Sequence, residues 1–181
     1  MRQVKLGADG PQVGAIGLGC MSFGGMYGAT NINESHATLK KALDLGVNHL
    51  DVANIYGAGV CEEVIGAYIK ANGNPFTIAT KGGIVTGPDR DFRNEKAYLT
   101  ECLDGSLKRL GVDYVDLYYV HRRDPRVPVE DMMETLKGFI AAGKIGAIGL
   151  SEIAPSTLEQ AVKIAPVAAV QSEYSLWTRL P

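Results

Sequence analysis

The sequence lacks the features that mark membrane proteins and nucleic-acid-binding proteins. No apolar run approaches 18 residues, and the opening segment MRQVKLGADG has no apolar stretch of the kind found in secretory signals. No block of basic or acidic side chains occurs, and the formal net charge is −2. The sequence therefore predicts neither a membrane partner nor a nucleic-acid partner, and the cytoplasm is the expected compartment.

Cysteine is also scarce. The chain has three cysteines, none of them in a CxxC pair or at a metal-ligand spacing. This pattern predicts reduced thiols in a reducing compartment. None of the three lies in a recognisable nucleophile context, so we do not expect a catalytic cysteine.

The remaining composition is that of one globular domain. The 181 residues are 46% apolar and 21% charged, and no low-complexity linker divides them. After a predicted hairpin, RQVKL and QVGAI around the turn Gly7–Gly10, apolar runs alternate with helical patterns. Strands are expected near 16–20, 47–52, 76–80, 114–120, 145–150 and 167–171. Helices are expected near 33–45, 61–71, 94–110, 129–142 and 155–164.

Several residues are typical of helix ends. Asn33 and Asn94, each followed by Glu, are predicted N-caps. We also expect left-handed glycines to end three helices and prolines to begin two, at Gly46, Gly111, Gly143, Pro128 and Pro155.

Alternating strands and helices predict a parallel sheet of βα units. Two architectures compete, a doubly wound open sheet and a (β/α)₈ barrel. The doubly wound dinucleotide fold needs GxGxxG at its first turn. Here the corresponding segment, 17–22, reads GLGCMS, without the third glycine, and its helix begins too late. We therefore favour the barrel.

Each of five consecutive predicted strands has a polar residue at its carboxyl end. These residues are Asp51, Lys81, His121, Ser151 and Gln171. In a barrel, the carboxyl ends of the strands converge on the mouth where active sites lie. The set therefore predicts an active site.

The residue types suit the polarisation of a carbonyl group. Tyr56 follows Asp51 by five residues, and a phenol has a pKa of about 10. An ammonium group, supplied by Lys81, would lower that pKa, and Asp51 would hold Lys81 in place. His121 could donate to a substrate oxygen or relay a proton.

The ordered stretches LDVANIYG, IATKGG, LYYVHRRD, IGLSE and VQSEYSLW, preceded by GLGCMSFGG, resemble the aldo-keto reductases. The resemblance extends from Lys5 to Pro181. It implies a (β/α)₈ barrel that reduces aldehydes or ketones with NADPH and without a metal. By position, Tyr56 would be the general acid, Lys81 and Asp51 would tune it, and His121 would orient the carbonyl.

The resemblance also implies a cofactor site. Ser151 and Gln171 would hold the nicotinamide carboxamide, and Met21 would touch the cofactor from the first loop. Two positions depart from the family, which often has Thr where this chain has Val52 and Asn where it has Glu152. A carboxylate cannot donate to the carboxamide oxygen, which makes Glu152 a poor substitute for that asparagine.

The length departs as well. Such barrels run to about 250 residues, whereas residues 1–181 form a single barrel domain with six expected barrel strands and without the last two βα units. The chain is then a fragment, part of a longer chain or a truncated relative. We expect an open sheet with two unpaired edges, and weak or no binding of NADPH by the isolated 181 residues.

Other interpretations stay open. His49, Asp51 and His121 could ligate a metal in a barrel metallohydrolase, although Tyr56 and Lys81 would then have no role. Some members of the family are accessory subunits of ion channels that sense redox state, so a non-catalytic role is an alternative. The physiological carbonyl substrate, the preference for NADPH over NADH and the oligomeric state are left open.

Outside the predicted site, His36 and His49 are expected to be structural. Arg122 and Arg123 are expected to pair with Asp124 and Asp116 at the barrel rim. Tyr174 and Trp177 either line a substrate pocket or are unpacked residues after the last strand.

Overall fold

The computed structural model of the protein describes residues 1–8, 10–87 and 91–179. Strands β1 (Gln3–Lys5) and β2 (Gln12–Gly14) pair antiparallel, which confirms the predicted hairpin. Asp9, in its predicted turn, lies outside the described residues.

In residues 1–8, 10–87 and 91–179 the main sheet has six parallel strands in sequence order. They are β3 (Leu18–Gly19), β4 (His49–Asp51), β5 (Thr77–Gly82), β6 (Val115–Val120), β7 (Ile145–Ser151) and β8 (Ala169–Gln171). The α-helices of the described residues alternate with these strands and are α1 (Ile32–Asp44), α2 (Val60–Asn72), α3 (Lys96–Leu110), α4 (Val129–Ala141) and α5 (Pro155–Ala161). The predicted strand–helix order is confirmed. Among the described residues, β3 and β8 are the unpaired edges of the sheet. No described helix is long and apolar enough to span a lipid bilayer.

The two faces of the sheet carry different clusters because side chains alternate along a strand. Ile78 of β5 packs in the large cluster between the sheet and the helices, whereas Ala79 packs on the other face against Leu117 and Tyr119. Lys81 follows Ala79 at the next position on that same inner face. The alternation therefore directs the predicted site lysine into the interior of the half-barrel.

The first helix begins earlier than predicted. Asn31 is the N-cap of α1, and its side chain accepts a hydrogen bond of 3.0 Å from the Glu34 backbone N–H. Asn33 lies inside the first turn, so its assignment as a cap is wrong. Both asparagines suit the position, and the extended backbone at Asn31 decides between them.

The prediction of Asn94 as a cap is also wrong, because α3 has Glu95 as its N-cap residue. Asn94 is buried, accepts from the Asp124 backbone N–H at 2.6 Å and donates to the Arg122 carbonyl at 3.1 Å. Its side-chain amide therefore holds the loop after β6 through these two hydrogen bonds.

The glycine and proline predictions are confirmed. Pro128 and Pro155 stand at the starts of α4 and α5. Gly46, Gly111 and Gly143 follow three helices with φ angles of 80°, 69° and 70°. These left-handed values suit glycine because it has no Cβ.

Candidate active site

The carboxyl edge of the sheet gathers the five predicted polar residues. Asp51, Ser151 and Gln171 are the last residues of β4, β7 and β8. Lys81 is the penultimate residue of β5, and His121 directly follows β6. Parallel strands end at one edge, so the side chains become neighbours there.

Asp51 is held through both carboxylate oxygens. Lys81 Nζ lies 2.6 Å from Oδ1, and Gln171 Nε2 donates to Oδ2 at 2.7 Å. The Lys81 side chain is fully buried and also donates to the Val52 carbonyl at 3.1 Å. A buried ammonium requires such partners, because burying a charge without hydrogen bonds or a counter-charge costs free energy.

Tyr56 projects from a short 3-10 turn (Tyr56–Gly59) that leads into α2. Its ring meets the His121 ring edge-on, with centroids 5.7 Å apart, and Lys81 Nζ lies 5.2 Å from its ring centre. A Cβ on Gly57 would lie 2.7 Å from the Gly24 Cα, so glycine is needed where the two loops touch. The phenol, imidazole and ammonium groups thus lie together.

The pKa of Tyr56 is raised to about 12, first by burial and then by the Asp51 carboxylate. Arg122 lowers this pKa but does not outweigh burial, and Asp51 compensates the charge of Lys81. Burial lowers the pKa of Lys81, because it disfavours the charged ammonium, and the Asp51 carboxylate opposes this effect. The predicted lowering of the Tyr56 pKa is therefore wrong for this chain, and the phenol keeps its proton at neutral pH.

Two cavities meet at Tyr56. The first, which we call the polar cavity, has a volume of about 310 Å³ and is lined by Asp51, Tyr56, His121, Arg122, Ser151, Glu152, Gln171, Ser172 and Glu173. The second, which we call the apolar cavity, has a volume of about 470 Å³ and is lined by Met21, Met26, Ile55, Tyr56, Ala58, Ile84, Val85, Thr86, Gly87, Phe92, His121 and Arg122. Tyr56, His121 and Arg122 line both cavities and form their boundary.

Sequence reasoning missed Arg122 as a site residue. Its Nη1 donates to the His121 carbonyl at 2.7 Å and to Ser151 Oγ at 3.1 Å, so it lies within the cluster. The sequence signal that could have identified Arg122 is its position directly after His121, at the end of a strand.

The predicted ion pairs at the rim are wrong. Arg123 donates to the backbone carbonyls of Asp124 and Val127. The Asp124 carboxylate pairs instead with Arg126 at 2.7 Å. Asp116 accepts from the Ile78 backbone N–H at 2.8 Å.

Glu152 braces the segment that follows β8. Its backbone N–H donates to the Gln171 carbonyl at 2.9 Å, and its carboxylate accepts from the Glu173 backbone N–H at 2.6 Å. Its φ of 51° lies in the left-handed region, which is uncommon for a residue with a side chain. Glu152 thus has a structural partner, while Met21 lies on the apolar cavity and Ser151 and Gln171 lie on the polar one.

The aromatic residues after β8 are exposed. Tyr174 is 72% exposed and Trp177 is 97% exposed, so neither forms a closed pocket wall. His36 shares a hydrogen bond of 3.0 Å with the Val64 carbonyl, as expected of a structural histidine. Within residues 1–8, 10–87 and 91–179, no three His, Cys, Asp or Glu side chains are placed to hold a metal ion.

The described residues form an incomplete (β/α)₈ barrel, with six parallel strands and helices on the outside. Its carboxyl edge, where such barrels have their active sites, carries Asp51, Tyr56, Lys81 and His121. Residues 15–181 match the Aldo/keto reductase family, and the chain belongs to that family. The fold and the family predicted from the sequence are both confirmed.

Individual relatives agree with this assignment. The NADP(+) aldo-keto reductase yakc of Schizosaccharomyces pombe is 44% identical over 176 residues, which span 94% of this chain and 51% of that protein. An aldo-keto reductase of Bacillus halodurans, solved in its holo form, superposes with a TM-score of 0.86 at 29% identity, over 97% of this chain and 58% of that one. The glycerol dehydrogenase of Gluconobacter oxydans gives a TM-score of 0.89 at 28% identity, over 98% and 56%. This chain therefore spans about half the length of the relatives that it matches.

Proposed function

We propose that this chain carries the catalytic face of an NADPH-dependent reductase that converts aldehydes or ketones into alcohols. The observation that carries the proposal is the Asp51–Lys81 ion pair beside Tyr56 and His121, at the mouth of a half-barrel of this family. The Schizosaccharomyces pombe relative is named as an NADP(+) enzyme, which supports the choice of this cofactor in the proposal.

The polar cavity fits a nicotinamide carboxamide. Gln171 uses Nε2 on Asp51, which leaves its Oε1 as an acceptor for the carboxamide N–H. Ser151 Oγ accepts from Arg122, which leaves its hydroxyl hydrogen to donate to the carboxamide oxygen. These two residues therefore offer one donor and one acceptor, which is what a carboxamide needs.

Ser151 and Gln171 would hold NADPH by its nicotinamide carboxamide, and the bound cofactor would supply a hydride for the carbonyl carbon. Tyr56 Oη gives its proton to the carbonyl oxygen, so the products are an alcohol and the oxidised cofactor. The raised pKa keeps that proton on the phenol until the oxygen gains negative charge.

Three neighbours assist this transfer. His121, in edge-on contact with the Tyr56 ring, orients the carbonyl oxygen. The Lys81 ammonium stabilises the phenolate that remains after the proton has left, and Asp51 fixes the position of Lys81.

The variant Tyr56→Phe tests the general acid. We expect kcat for aldehyde reduction, followed by the loss of NADPH absorbance, to fall by about 10²–10⁴-fold, the usual contribution of a positioned acid. Tyr174→Phe is the matched control, because it removes the same hydroxyl from an exposed ring. Undiminished turnover in Tyr56→Phe, with circular dichroism like that of the parent, would refute the assignment. Absence of aldehyde turnover in the parent, at NADPH concentrations where cofactor fluorescence shows that NADPH is bound, would favour the non-catalytic alternative.

A further inference from the structure

Arg122 is a partly buried cation with neutral partners. Its two hydrogen bonds go from Nη1 to the His121 carbonyl and to Ser151 Oγ. In the part of the chain that the structure describes, no carboxylate lies within 4.0 Å of its guanidinium. A guanidinium has five N–H donors, so most of its hydrogen-bonding capacity is unused by these residues.

The position of this cation matters because it lines the cavity that holds Tyr56 and His121. The other lining residues of the apolar cavity are mostly Met, Ile, Val and Phe side chains, and its described lining includes no Asp or Glu. Among the described residues that line this cavity of about 470 Å³, Arg122 is the one permanently charged side chain. A lining that combines six Met, Ile, Val and Phe residues with one cation suits a ligand that has an apolar body and one anionic group.

The reacting carbonyl must lie beside Tyr56 and His121, which line the same cavity as Arg122. An anionic group that reaches Arg122 is therefore close to the carbonyl within the same small molecule. A carboxylate matches the planar guanidinium because its two oxygens can accept two parallel N–H bonds.

We propose that Arg122 determines substrate specificity by binding the carboxylate of an oxo-acid, an aldehyde or ketone with an apolar body and a carboxylate near the carbonyl group. This inference rests on the proposed reductase function. Arg122 acts in ground-state recognition, whereas Tyr56 and His121 act on the carbonyl.

The first test compares two substrates that differ by one charge, 4-formylbenzoate and its methyl ester. We expect the parent protein to prefer the carboxylate in kcat/KM. Arg122→Met should reduce the carboxylate-to-ester ratio by about 10–100-fold, the value of one charge-assisted bidentate pair, mainly through KM. Arg122→Lys should restore part of the ratio, because it keeps the charge but loses the planar fork.

Arg123→Met is the matched control, because it removes a neighbouring guanidinium that contacts the Asp124 and Val127 carbonyls. Its ratio should equal that of the parent. An unchanged ratio in Arg122→Met would overturn the proposal. An equal fall for both substrates would also overturn it, since Arg122 would then serve the cofactor through Ser151 or serve the fold.

A binding measurement separates this inference from the proposed function. Saturation-transfer NMR of the purified protein gives dissociation constants for 4-formylbenzoate and its ester without any turnover. Tighter binding of the carboxylate, lost in Arg122→Met, supports the arginine site even if no aldehyde is reduced. Equal binding of the two compounds by the parent refutes the site even if both are reduced.

Discussion

Lys81 and Asp51 form an ion pair of 2.6 Å in which the lysine side chain is fully buried and the aspartate side chain is 20% exposed. The pair places the Lys81 ammonium beside the Tyr56 ring together with the Asp51 carboxylate, which offsets part of the effect of the ammonium on the phenol. The raised pKa of Tyr56 follows from burial and from the carboxylate of this pair.

The first prediction concerns that pKa. Tyr56, with a pKa of about 12, should remain protonated at pH 10, where an ordinary phenol is half ionised. Asp51→Asn should lower this pKa, because it removes a negative charge and leaves the Lys81 ammonium uncompensated. NMR titration of protein labelled at the tyrosine ζ-carbon measures each ring.

Tyr98 is the internal control for this titration. Its pKa is also raised to about 12, but by burial and Cys102, so Asp51→Asn should leave it unchanged. Between pH 10 and 12 the contribution of Tyr56 to stability should be lost, because the unfolded phenol releases its proton there before the folded one does. Titration of Tyr56 near pH 10 in the parent would contradict this account.

The second prediction concerns a buried ion pair on the helix side of the sheet. The fully buried Glu62 carboxylate accepts from Arg109 Nε at 2.7 Å and from Thr80 Oγ1 at 2.5 Å. Arg109→Met should lower the free energy of unfolding by about 3 kcal/mol, since it leaves a buried carboxylate without its counter-charge. Urea denaturation measures the change.

A second variant and a control complete that experiment. Adding Glu62→Gln to Arg109→Met should recover part of the loss, because the double variant buries no unpaired charge. Lys137→Met breaks an exposed pair with Glu134 and should cost less than about 1 kcal/mol. Equal costs for Arg109→Met and Lys137→Met would show that burial does not govern the pair.

The third prediction concerns the brace at Glu152. Glu152→Ala should expose the Glu173 amide and speed its hydrogen exchange, since the side-chain acceptor at 2.6 Å is lost. Glu152→Gln should retain most of the protection, because the amide oxygen can accept the same hydrogen bond. If the Glu173 amide exchanged at one rate in the parent and both variants, the brace would have no effect in solution.

The fourth prediction concerns cofactor affinity. The described part of the 181-residue chain has six barrel strands, whereas phosphate sites of such barrels are commonly built after strands seven and eight. We expect titration with NADPH, followed through its fluorescence, to show weak binding or none. Micromolar affinity would mean that these residues suffice to bind the cofactor.

Local sequence predicted the elements well, because strand-length apolar runs and helix-ending glycines depend on neighbouring residues. The predictions of Asn33 and Asn94 as N-caps were wrong for different reasons. Asn31 and Asn33 offer the same side chain, and only the backbone conformation chooses between them. Asn94 forms hydrogen bonds about 30 residues away along the chain, which no local pattern can indicate.

The sequence alone determined the family, the βα order and the identity of the residues at the strand ends, since each depends on residue type and spacing along the chain. Only the tertiary structure decided the direction of the Tyr56 pKa shift and the place of Arg122 between two cavities. Both depend on burial and on distances between side chains from different strands. Those quantities exist only once the sheet has curled and brought its carboxyl ends together.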